Sequence, residues 1–347
     1  MKSAMPFATG LPIIQAPMAG VQDAALAIAV CKAGGLGSLP CAMLEPAAMR
    51  RELEAITDAT DRPYNVNFFC HTPPAADPAR EAAWRSALAP YYDEYGIDRD
   101  AIPAPAPRAP FSAAAADVLD DFRPPVVSFH FGLPAPPLLA RVKALPAMVL
   151  ASATTVDEAR WLEAHGADAI IAQGVEAGGH RGMFLSADCT TQVGSFALLP
   201  QIVQAVRVPV IAAGGIADAA GVAAAMALGA AAVQVGTAYL LCDEARTSAV
   251  HRAALADGAA GHTALTNVFS GRPARSIVNR AVRELGPMND EAPAFPGAGT
   301  ALAPLRAQAE RNGRGDFSPL WCGQNASGCR SVPAAELTRE LAAALKV

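Results

Sequence analysis

Aromatic and charged side chains are scarce in this chain. Of its 347 residues, 6% are aromatic and 17% are charged, whereas 52% are hydrophobic. So little charge with so much apolar sequence argues against a disordered chain and predicts a sizeable core. The apolar residues are mostly Ala, Val, Leu and Ile, a mixture typical of helices packed on a buried parallel sheet. The length allows one large domain with an extension, or two domains.

Lysine is scarce as well. Only four of the 27 basic residues are lysines, and the formal net charge is −5. Because the arginines are scattered along the chain, no basic face for nucleic acid is predicted. A small anionic ligand is still compatible with this charge, since backbone N–H groups can hold an anion without net positive charge.

Paired cysteines and long apolar runs are also lacking. The seven cysteines form no C-x-x-C motif, so we expect neither a disulfide framework nor a zinc or other metal site. No uninterrupted run of about 18 apolar residues suggests a membrane span. Residues Met1–Gly10 lack the charged and apolar regions of a signal peptide, which favours a cytoplasmic protein.

Short apolar runs alternate with helical patterns along the chain. Most of the runs are continuously apolar, as expected for strands that are covered on both sides. Eight β-α steps predict an α/β fold, a TIM (β/α)8 barrel with a smaller, mainly helical cap. A doubly wound sheet is the main alternative. The predicted strands are Ile13–Met18, Leu36–Pro40, Asn65–Phe69, Val126–Gly132, Met148–Ser152, Ala169–Gln173, Val210–Ala213 and Ala232–Gly236.

Helix boundaries support a repeated β-α unit. Thr155 and Glu158 have the spacing of a capping box, in which the Thr hydroxyl binds the first turn and the Glu reaches back. Gly166 predicts the end of that helix, because glycine readily adopts a left-handed turn. The pattern His165–Ile170 recurs at Leu228–Val233, and such repetition indicates one structural unit used several times.

Two regions interrupt this rhythm and set the predicted domain boundaries. Residues 1–240 would form the barrel, with a helical and Pro-rich excursion at 71–125. Residues 241–309 would cap the barrel mouth, and 310–347 would close on the barrel. The prolines of the excursion are Pro73, Pro74, Pro103, Pro105, Pro107 and Pro110.

Glycines follow the last two predicted strands. Gly214 and Gly215 come after strand seven, and Gly236 with Thr237 ends strand eight. In barrels a phosphate often binds at these two loops, and glycine lets the backbone approach an anion closely. Asp218 should cap the following helix. Tight packing turns are the alternative, but the paired positions predict a phosphate-bearing cofactor.

The loop after strand six, Gln173–Gly182, combines closely spaced glycines with the basic pair His180 and Arg181. Such a loop at the active end of a barrel predicts a binding role rather than a plain surface turn. The Gln173 amide can donate and accept hydrogen bonds, which suits a flavin or nucleobase edge.

His130 is a polar residue at the end of an otherwise apolar fourth strand. A buried histidine is usually a satisfied core residue, but catalytic side chains gather at the C-terminal ends of barrel strands. Its titration near neutral pH would allow it to act as a base or a proton donor. Asn67 in strand three should find a partner at the site, and Met18 at the end of strand one could be core packing.

Taken together these segments resemble the nitronate monooxygenases, formerly called 2-nitropropane dioxygenases. The motifs run in order through nearly the whole chain, and two of them, S-F-H-F-G and E-A-G-G-H-R-G, resemble the bacterial class I group. The full set is Q-A-P-M-A-G (15–20), N-V-N-F-F (65–69), S-F-H-F-G (128–132), E-A-G-G-H-R-G (176–182), A-A-G-G-I (212–216), Q-V-G-T-A (234–238), F-S-G-R-P-A-R (269–275) and L-W-C-G-Q (320–324).

The resemblance implies non-covalently bound FMN and oxidation of alkyl nitronates, including the toxin propionate 3-nitronate, by O2 to a carbonyl product and nitrite. His130 would be the active-site base or hydrogen-bond donor. His180 and Arg181 would supply positive field to the substrate. The residues implied to contact FMN are Met18, Asn67, Gln173, Gly178, Gly215, Gln234, Val235, Gly236 and Thr237.

The chain departs from the family pattern in one region. Members of the family can line the substrate pocket with Tyr or Lys in this region. Residues 290–310 of this chain contain neither and have Phe295, Thr300 and Arg306 instead. The sequence therefore leaves the shape of the substrate pocket undefined. Tyr91, Tyr92 and Tyr95 of the excursion could line this pocket, or they could serve only in packing the excursion.

Three other functions are compatible with the sequence. A related FMN barrel could take hydride from NAD(P)H, as quinone reductases and enoyl-acyl-carrier-protein reductases do, since such barrels need no G-x-G-x-x-G motif. An inosine-monophosphate-dehydrogenase-like barrel would use Cys189 as a nucleophile, although a loop cysteine is usually incidental. A flavin-storing barrel without turnover is the non-enzyme alternative.

Overall fold

A computed structural model of the chain describes residues 7–99, 102 and 108–345. The predicted barrel is confirmed: eight parallel strands are ordered β1-β9-β8-β6-β5-β4-β3-β2. The ring closes where Ile14 of β1 bridges Leu36, just before β2. The barrel strands are β1 Ile13–Gln15, β2 Gly37–Pro40, β3 Tyr64–Phe69, β4 Val126–His130, β5 Met148–Ala153, β6 Ala169–Gln173, β8 Val210–Ala213 and β9 Ala232–Val235.

Helices cover the outside of the barrel and continue into the cap. Their bounds are α1 Ala24–Lys32, α2 Pro46–Ala59, α3 Pro78–Tyr95, α4 Ala113–Phe122, α5 Pro136–Lys143, α6 Val156–Ala164, α7 Ser195–Ala205, α8 Ala219–Ala227, α9 Ala249–Ala256, α10 Arg280–Leu285, α11 Ala298–Arg311 and α12 Ala334–Leu341. Within the described residues, no helix is both long enough and apolar enough to cross a membrane.

The start of α6 shows how its predicted cap is modified. The Thr155 hydroxyl accepts the Glu158 N–H at 3.2 Å, as expected. The Glu158 carboxylate instead accepts the N–H of Thr154, at 2.7 Å, and the N–H of Phe184. The carboxylate thus fastens the loop after β6 to the end of β5, a tertiary role that competes with the local capping box. The helix ends at Gly166, which has φ +100° as predicted.

The barrel interior is layered. Apolar side chains fill its lower part, because alternate residues of each strand point inward. Polar side chains occupy the next inward positions toward the C-terminal ends of the strands, and these include Ser128, Ser152, Gln173 and Gln234. The apolar layer is formed by Phe7, Ile14, Leu36, Val126, Leu150, Ala169, Ile171, Ile211, Ala213 and Ala232.

The excursion and the cap pack together. The Trp84 indole on α3 donates to the Ala298 carbonyl at 3.1 Å, and the Tyr92 hydroxyl donates to the Ala301 carbonyl at 2.8 Å. Both carbonyls belong to α11, so this tyrosine packs rather than lining a pocket. The predicted Pro-rich crossing includes Pro103, Pro105 and Pro107, which lie outside the described residues.

A small second sheet, which the sequence patterns did not predict, joins the cap to the barrel. Its order is β10-β11-β7, where β7 is Gly179–His180, β10 is Thr263–Thr266 and β11 is Ala274–Ile277. Both pairings are antiparallel, and His180 lies opposite Ala274. The cap is therefore not only helical, and its sheet holds the glycine-rich loop that follows β6.

Candidate active site

The strand register brings the predicted polar residues to one end of the barrel. His130 is the last residue of β4, opposite Phe69 of β3. Gln173 pairs with Ala213, and Ala213 pairs with Gln234. Because all the strands are parallel, their C-terminal ends meet at the same mouth, which is where barrel active sites lie.

The two ring nitrogens of His130 have different partners. Nε2 lies 3.2 Å from the carbonyl oxygen of His180, and Nδ1 lies 3.0 Å from the Ser152 hydroxyl. A carbonyl can only accept, so Nε2 carries the proton and Nδ1 accepts from Ser152. Burial lowers the pKa of His130 to about 4, with Arg272 and Arg181 adding to the effect. The ring is therefore neutral at physiological pH and its tautomer is fixed by its surroundings.

Gln173 binds the same loop. Its side-chain Nε2 donates to the His180 carbonyl at 3.0 Å, and its Oε1 accepts the Gly182 N–H at 2.8 Å. The His180 carbonyl thus receives two hydrogen bonds, one from Gln173 and one from His130. This shared acceptor joins the ends of β4 and β6.

His180 presents the second imidazole. Its Nε2 lies 2.9 Å from the Ser270 hydroxyl, and burial lowers its pKa to about 3. Within the described part of the chain, Nδ1 of this ring has no hydrogen-bond partner. The ring centre lies 5.4 Å from that of Phe295 and 5.3 Å from that of Trp321.

The motif suggests that Arg181 faces the substrate, but its side chain is buried beside the end of β6. The residue is 0% exposed, and its guanidinium donates to the carbonyls of Gln173 and Gly174 at 2.8 Å. Its Nε donates to Gln192 Oε1, also at 2.8 Å. Burial lowers its pKa to about 10. These contacts fix the end of β6 and leave the side chain engaged with the protein.

Aromatic rings surround the imidazoles. This aromatic cluster consists of Phe69, His71, Phe131 and Phe295 together with His130 and His180, with ring centres 4.6–6.5 Å apart. Phe131 sits at its centre with φ +70°, a conformation that costs free energy for a residue with a side chain. Sequence reasoning missed this cluster, because its members come from separate segments.

Two arginines border the aromatic cluster. The Arg272 guanidinium carbon lies 4.0 Å from the Phe131 ring centre, and that of Arg108 lies 5.6 Å from the Phe295 ring centre. Among the described residues neither arginine forms an ion pair, and Nε of Arg272 is buried without a partner. The pocket therefore favours an anion.

The residues of 290–310 divide between this pocket and the surface of the cap. Phe295 joins the aromatic cluster. Arg306 pairs with Glu310 on the surface of α11 at 2.8 Å, and Thr300 lies beside α3 near Trp84. Only the first of these three predicted candidates therefore contacts the imidazoles.

Asn67 lies within β3, and Met18 follows the end of β1 by three residues. The Asn67 amide donates to the Ser128 hydroxyl at 2.9 Å, and it is buried. Met18 packs beside the backbone of Gly236: a Cβ added to Gly236 would lie 3.7 Å from the Met18 sulfur. Both side chains therefore border the mouth of the barrel, although each also has a packing role.

The glycine loops after β8 and β9 expose backbone N–H groups. Gly214 and Gly215 have φ of +109° and +74°, conformations that side chains rarely adopt. In the part of the chain described, the N–H groups of Gly215, Ile216 and Gly236 donate to no protein acceptor. Because Ala213 and Gln234 are paired neighbours, the two loops start side by side and can face one anion.

Two nearby helices are already capped by carboxylates. Asp218 caps α8 through the Gly221 N–H at 2.8 Å, as predicted. Glu176 caps α7 by accepting the Ser195 N–H at 2.9 Å. An anion at these loops would therefore rely on the unpaired N–H groups of the turns rather than on the first turn of α7.

Other parts of the described structure offer no competing centre. No group of three or more His, Cys, Asp or Glu within these residues is placed to hold a metal ion. Cys189 lies in a short 3-10 helix, and burial raises the pKa of its thiol, which disfavours a nucleophile. A groove of about 930 Å³ opens at the opposite end of the barrel and contains none of the predicted site residues.

Within the described residues, neutral imidazoles, backbone donors without acceptors and arginines without acidic partners lie at the C-terminal mouth of a (β/α)8-barrel enzyme, in a pocket that favours an anion. The family model for nitronate monooxygenase matches residues 3–344, and the chain belongs to this family of oxidoreductases. It is 45% identical to a nitronate monooxygenase of Paraburkholderia phytofirmans, over 96% of this chain and 92% of the relative. A Pseudomonas aeruginosa nitronate monooxygenase is 42% identical, over 96% of both chains.

Two solved structures are similar to the chain over nearly its whole length. A nitroalkane oxidase from Streptomyces ansochromogenes superposes with a TM-score of 0.89 at 42% identity, covering 97% of this chain and 96% of its own. FabK from Thermotoga maritima is more distant, with a TM-score of 0.69 at 27% identity, covering 96% of this chain and 92% of its own.

Proposed function

We propose that the protein is an FMN-dependent enzyme that oxidises alkyl nitronates, including propionate 3-nitronate, with O2. The products are an aldehyde or oxo acid and nitrite; a pair of nitronate anions and one O2 give a pair of each, so atoms and charge balance. The observation that carries the proposal is the neutral His130–His180 pair beside arginines that lack acidic partners. Such a pocket suits a small anion that is already a carbanion equivalent.

The residues at the mouth fit FMN. The unpaired N–H groups beside Gly215 and Gly236 suit a phosphate. Among the residues that the structure describes, none donates to the buried Gln234 Oε1 atom, and a flavin ring carries an N–H that could do so. Gly178 leaves no room for a side chain, since an added Cβ would lie 2.6 Å from the Gly323 nitrogen. The residues proposed to hold FMN are Met18, Asn67, Gln173, Gly178, Gly215 and Gln234, Val235, Gly236 and Thr237.

Bound FMN would supply the redox chemistry, because a flavin can take electrons from a nitronate and return them to O2. The protein positions the anion. Arg272 and Arg108 raise the positive potential of the pocket, and the buried rings of Phe131 and Phe295 would limit its contact with water. Charges interact more strongly when water is excluded, so this arrangement favours the anionic substrate.

The two imidazoles suit different tasks. His130 has a fixed Nε2–H, which makes it a hydrogen-bond donor that could turn from the His180 carbonyl to a nitronate oxygen. Acting as a base would require Nδ1 of His130 to leave Ser152. His180 has an unengaged ring nitrogen and is the better placed of the two to take the α-proton of a neutral nitroalkane. Arg181 is proposed to act indirectly, by holding the end of β6.

The first test is anaerobic mixing of the yellow protein with propionate 3-nitronate, and separately with NADH, while the flavin spectrum is recorded. We expect rapid reduction by the nitronate and slow reduction by NADH. The opposite result would overturn the proposal in favour of an NAD(P)H-dependent quinone or enoyl-acyl-carrier-protein reductase. That alternative is retained because such reductases also use FMN barrels, and these need no G-x-G-x-x-G motif.

A second test separates the imidazoles. His130→Asn should lower kcat/KM for a nitronate roughly 10- to 100-fold, the cost of losing a hydrogen bond to a charged group. His180→Asn should lower kcat/KM for a neutral nitroalkane about 100-fold or more, and affect nitronates less. His262→Asn is the control, since His262 is exposed. Equal losses for both substrates in both variants would contradict this division.

A further inference from the structure

A segment near the C-terminal end of the chain lies across the proposed cofactor loops. This segment, Cys322–Cys329, is named here the C-terminal clasp. Gly323 N–H donates to the Thr237 hydroxyl at 2.9 Å, and Gln324 N–H donates to the Glu176 carbonyl at 2.9 Å. The Asn325 side-chain amide donates to the Gly215 carbonyl, also at 2.9 Å. The clasp therefore touches the loops that follow β6, β8 and β9.

The clasp also brings these loops close together. Gly323 and Asn325 are two residues apart, so their backbones are separated by at most about 7 Å. One of them binds Thr237 and the other binds Gly215. The clasp thus bridges the loops after β8 and β9 through two hydrogen bonds from neighbouring residues.

The direction of each hydrogen bond determines which donors of the cofactor loops remain available for an anion. The Thr237 oxygen accepts from Gly323, so its hydroxyl hydrogen is free to donate elsewhere. The carbonyl of Gly215 is turned toward Asn325. In a trans peptide the C=O and the following N–H point in opposite directions, so the Ile216 N–H faces away from the clasp. Both features provide donors for an anion and remove an acceptor that would repel it.

The Asn325 side chain is itself held in place. Its Oδ1 accepts from the Ser327 hydroxyl at 2.7 Å and from the Ser327 N–H at 3.2 Å. Close backbone contacts fix the rest of the clasp: a Cβ on Gly328 would lie 2.1 Å from the Ala217 carbonyl oxygen, and one on Gly323 would lie 2.8 Å from that of Glu176. The amide therefore arrives at the Gly215 carbonyl already oriented.

We propose that Asn325 is a positioning residue for the phosphate of the cofactor. By binding the Gly215 carbonyl it orients the Ile216 N–H toward the phosphate, while Gly323 orients the Thr237 hydroxyl. The ligand class is a phosphomonoester carried by a flavin. This inference rests on the proposed FMN cofactor.

The test compares two ligands that differ only by the phosphate. Full-length protein freed of flavin is titrated with FMN and with riboflavin, and binding is followed by flavin fluorescence. Asn325→Ala should weaken FMN about tenfold and change riboflavin less than about twofold. Asn325→Asp should weaken FMN further, because the introduced carboxylate repels both the phosphate and the Gly215 carbonyl.

Two further variants serve as controls for this interpretation. Ser327→Ala removes the hydroxyl bond to Asn325 Oδ1 and keeps the backbone one, so it loosens the Asn325 side chain and should weaken FMN alone, by a smaller factor. Asn312→Asp adds the same charge at an exposed residue and should change neither affinity. Thermal unfolding of each flavin-free variant checks that the chain is folded.

The outcomes are distinct. Loss of FMN affinity with riboflavin unchanged supports the inference. An equal loss of affinity for both ligands, or no change in either affinity, overturns the positioning role of Asn325 but not the proposal that FMN is the cofactor. If the wild-type protein binds neither flavin, the proposed function itself fails and the inference fails with it.

Discussion

Arg181 offers a direct test of what the E-A-G-G-H-R-G motif does. Replacing it with Met removes three hydrogen bonds, to the Gln173 and Gly174 carbonyls and to Gln192, at a residue that is 0% exposed. Leaving a buried acceptor without its donor costs about 1–3 kcal/mol, so losing three donors in the lower half of that range costs about 3–5 kcal/mol of unfolding free energy. With an unfolding entropy of about 2.1 cal/mol/K per residue, that loss lowers the Tm of this chain by roughly 4–7 °C.

The assay is thermal unfolding of the FMN-loaded protein by circular dichroism. The matched control is Arg160→Met on α6, where the arginine is 63% exposed and lies 3.7 Å from Asp157. An exposed pair of this kind contributes about 0–1 kcal/mol, so the control should unfold within about 1 °C of the wild type. The reasoning is refuted if Arg181→Met matches the control in Tm yet loses activity, because the guanidinium would then act on the substrate.

Three shorter predictions address the cofactor loops and His130. Gly178→Ala should release FMN, because the added Cβ would lie 2.6 Å from the Gly323 nitrogen. Equilibrium dialysis measures this release. Gly261→Ala is the control and should retain the flavin, because there is open space around Gly261. The free energy of unfolding should fall as pH drops from about 6.5 to about 4, since the unfolded chain protonates His130 first. Urea unfolding across that range should show a flatter profile for His130→Gln, and an unchanged slope would contradict the lowered pKa. Ser152→Ala should lower kcat about tenfold or less by freeing the His130 tautomer, whereas Ser152→Thr should keep it; equal kcat in both variants would argue against this hydrogen bond.

The barrel could be predicted because its signals are local. Each strand is a short apolar run bounded by turn residues, and each run appears in the structure near its predicted position. The strands β7, β10 and β11 could not be predicted in this way. β7 has only two residues, Gly179–His180, and it exists because the cap pairs with it, which no local pattern reveals.

The candidate site was predictable where chemistry is concentrated in motifs. The glycines beside Gly215 and the polar strand ends at His130 and Gln173 could be singled out from their positions in the repeat. Ser152 could not, because a serine in a strand has no distinctive pattern, and although Arg272 lies in the F-S-G-R-P-A-R motif, nothing local indicated that its side chain packs over Phe131. Their importance arises from contacts between residues far apart in the chain.

The C-terminal clasp also separates two events in the synthesis of the protein. Gly323 and Thr237 make their hydrogen bond although they are 86 residues apart in sequence. A chain still being translated can therefore have all eight barrel strands outside the ribosome while the clasp is not yet made. The strands that carry the cofactor loops are therefore synthesised before the segment that holds these loops together.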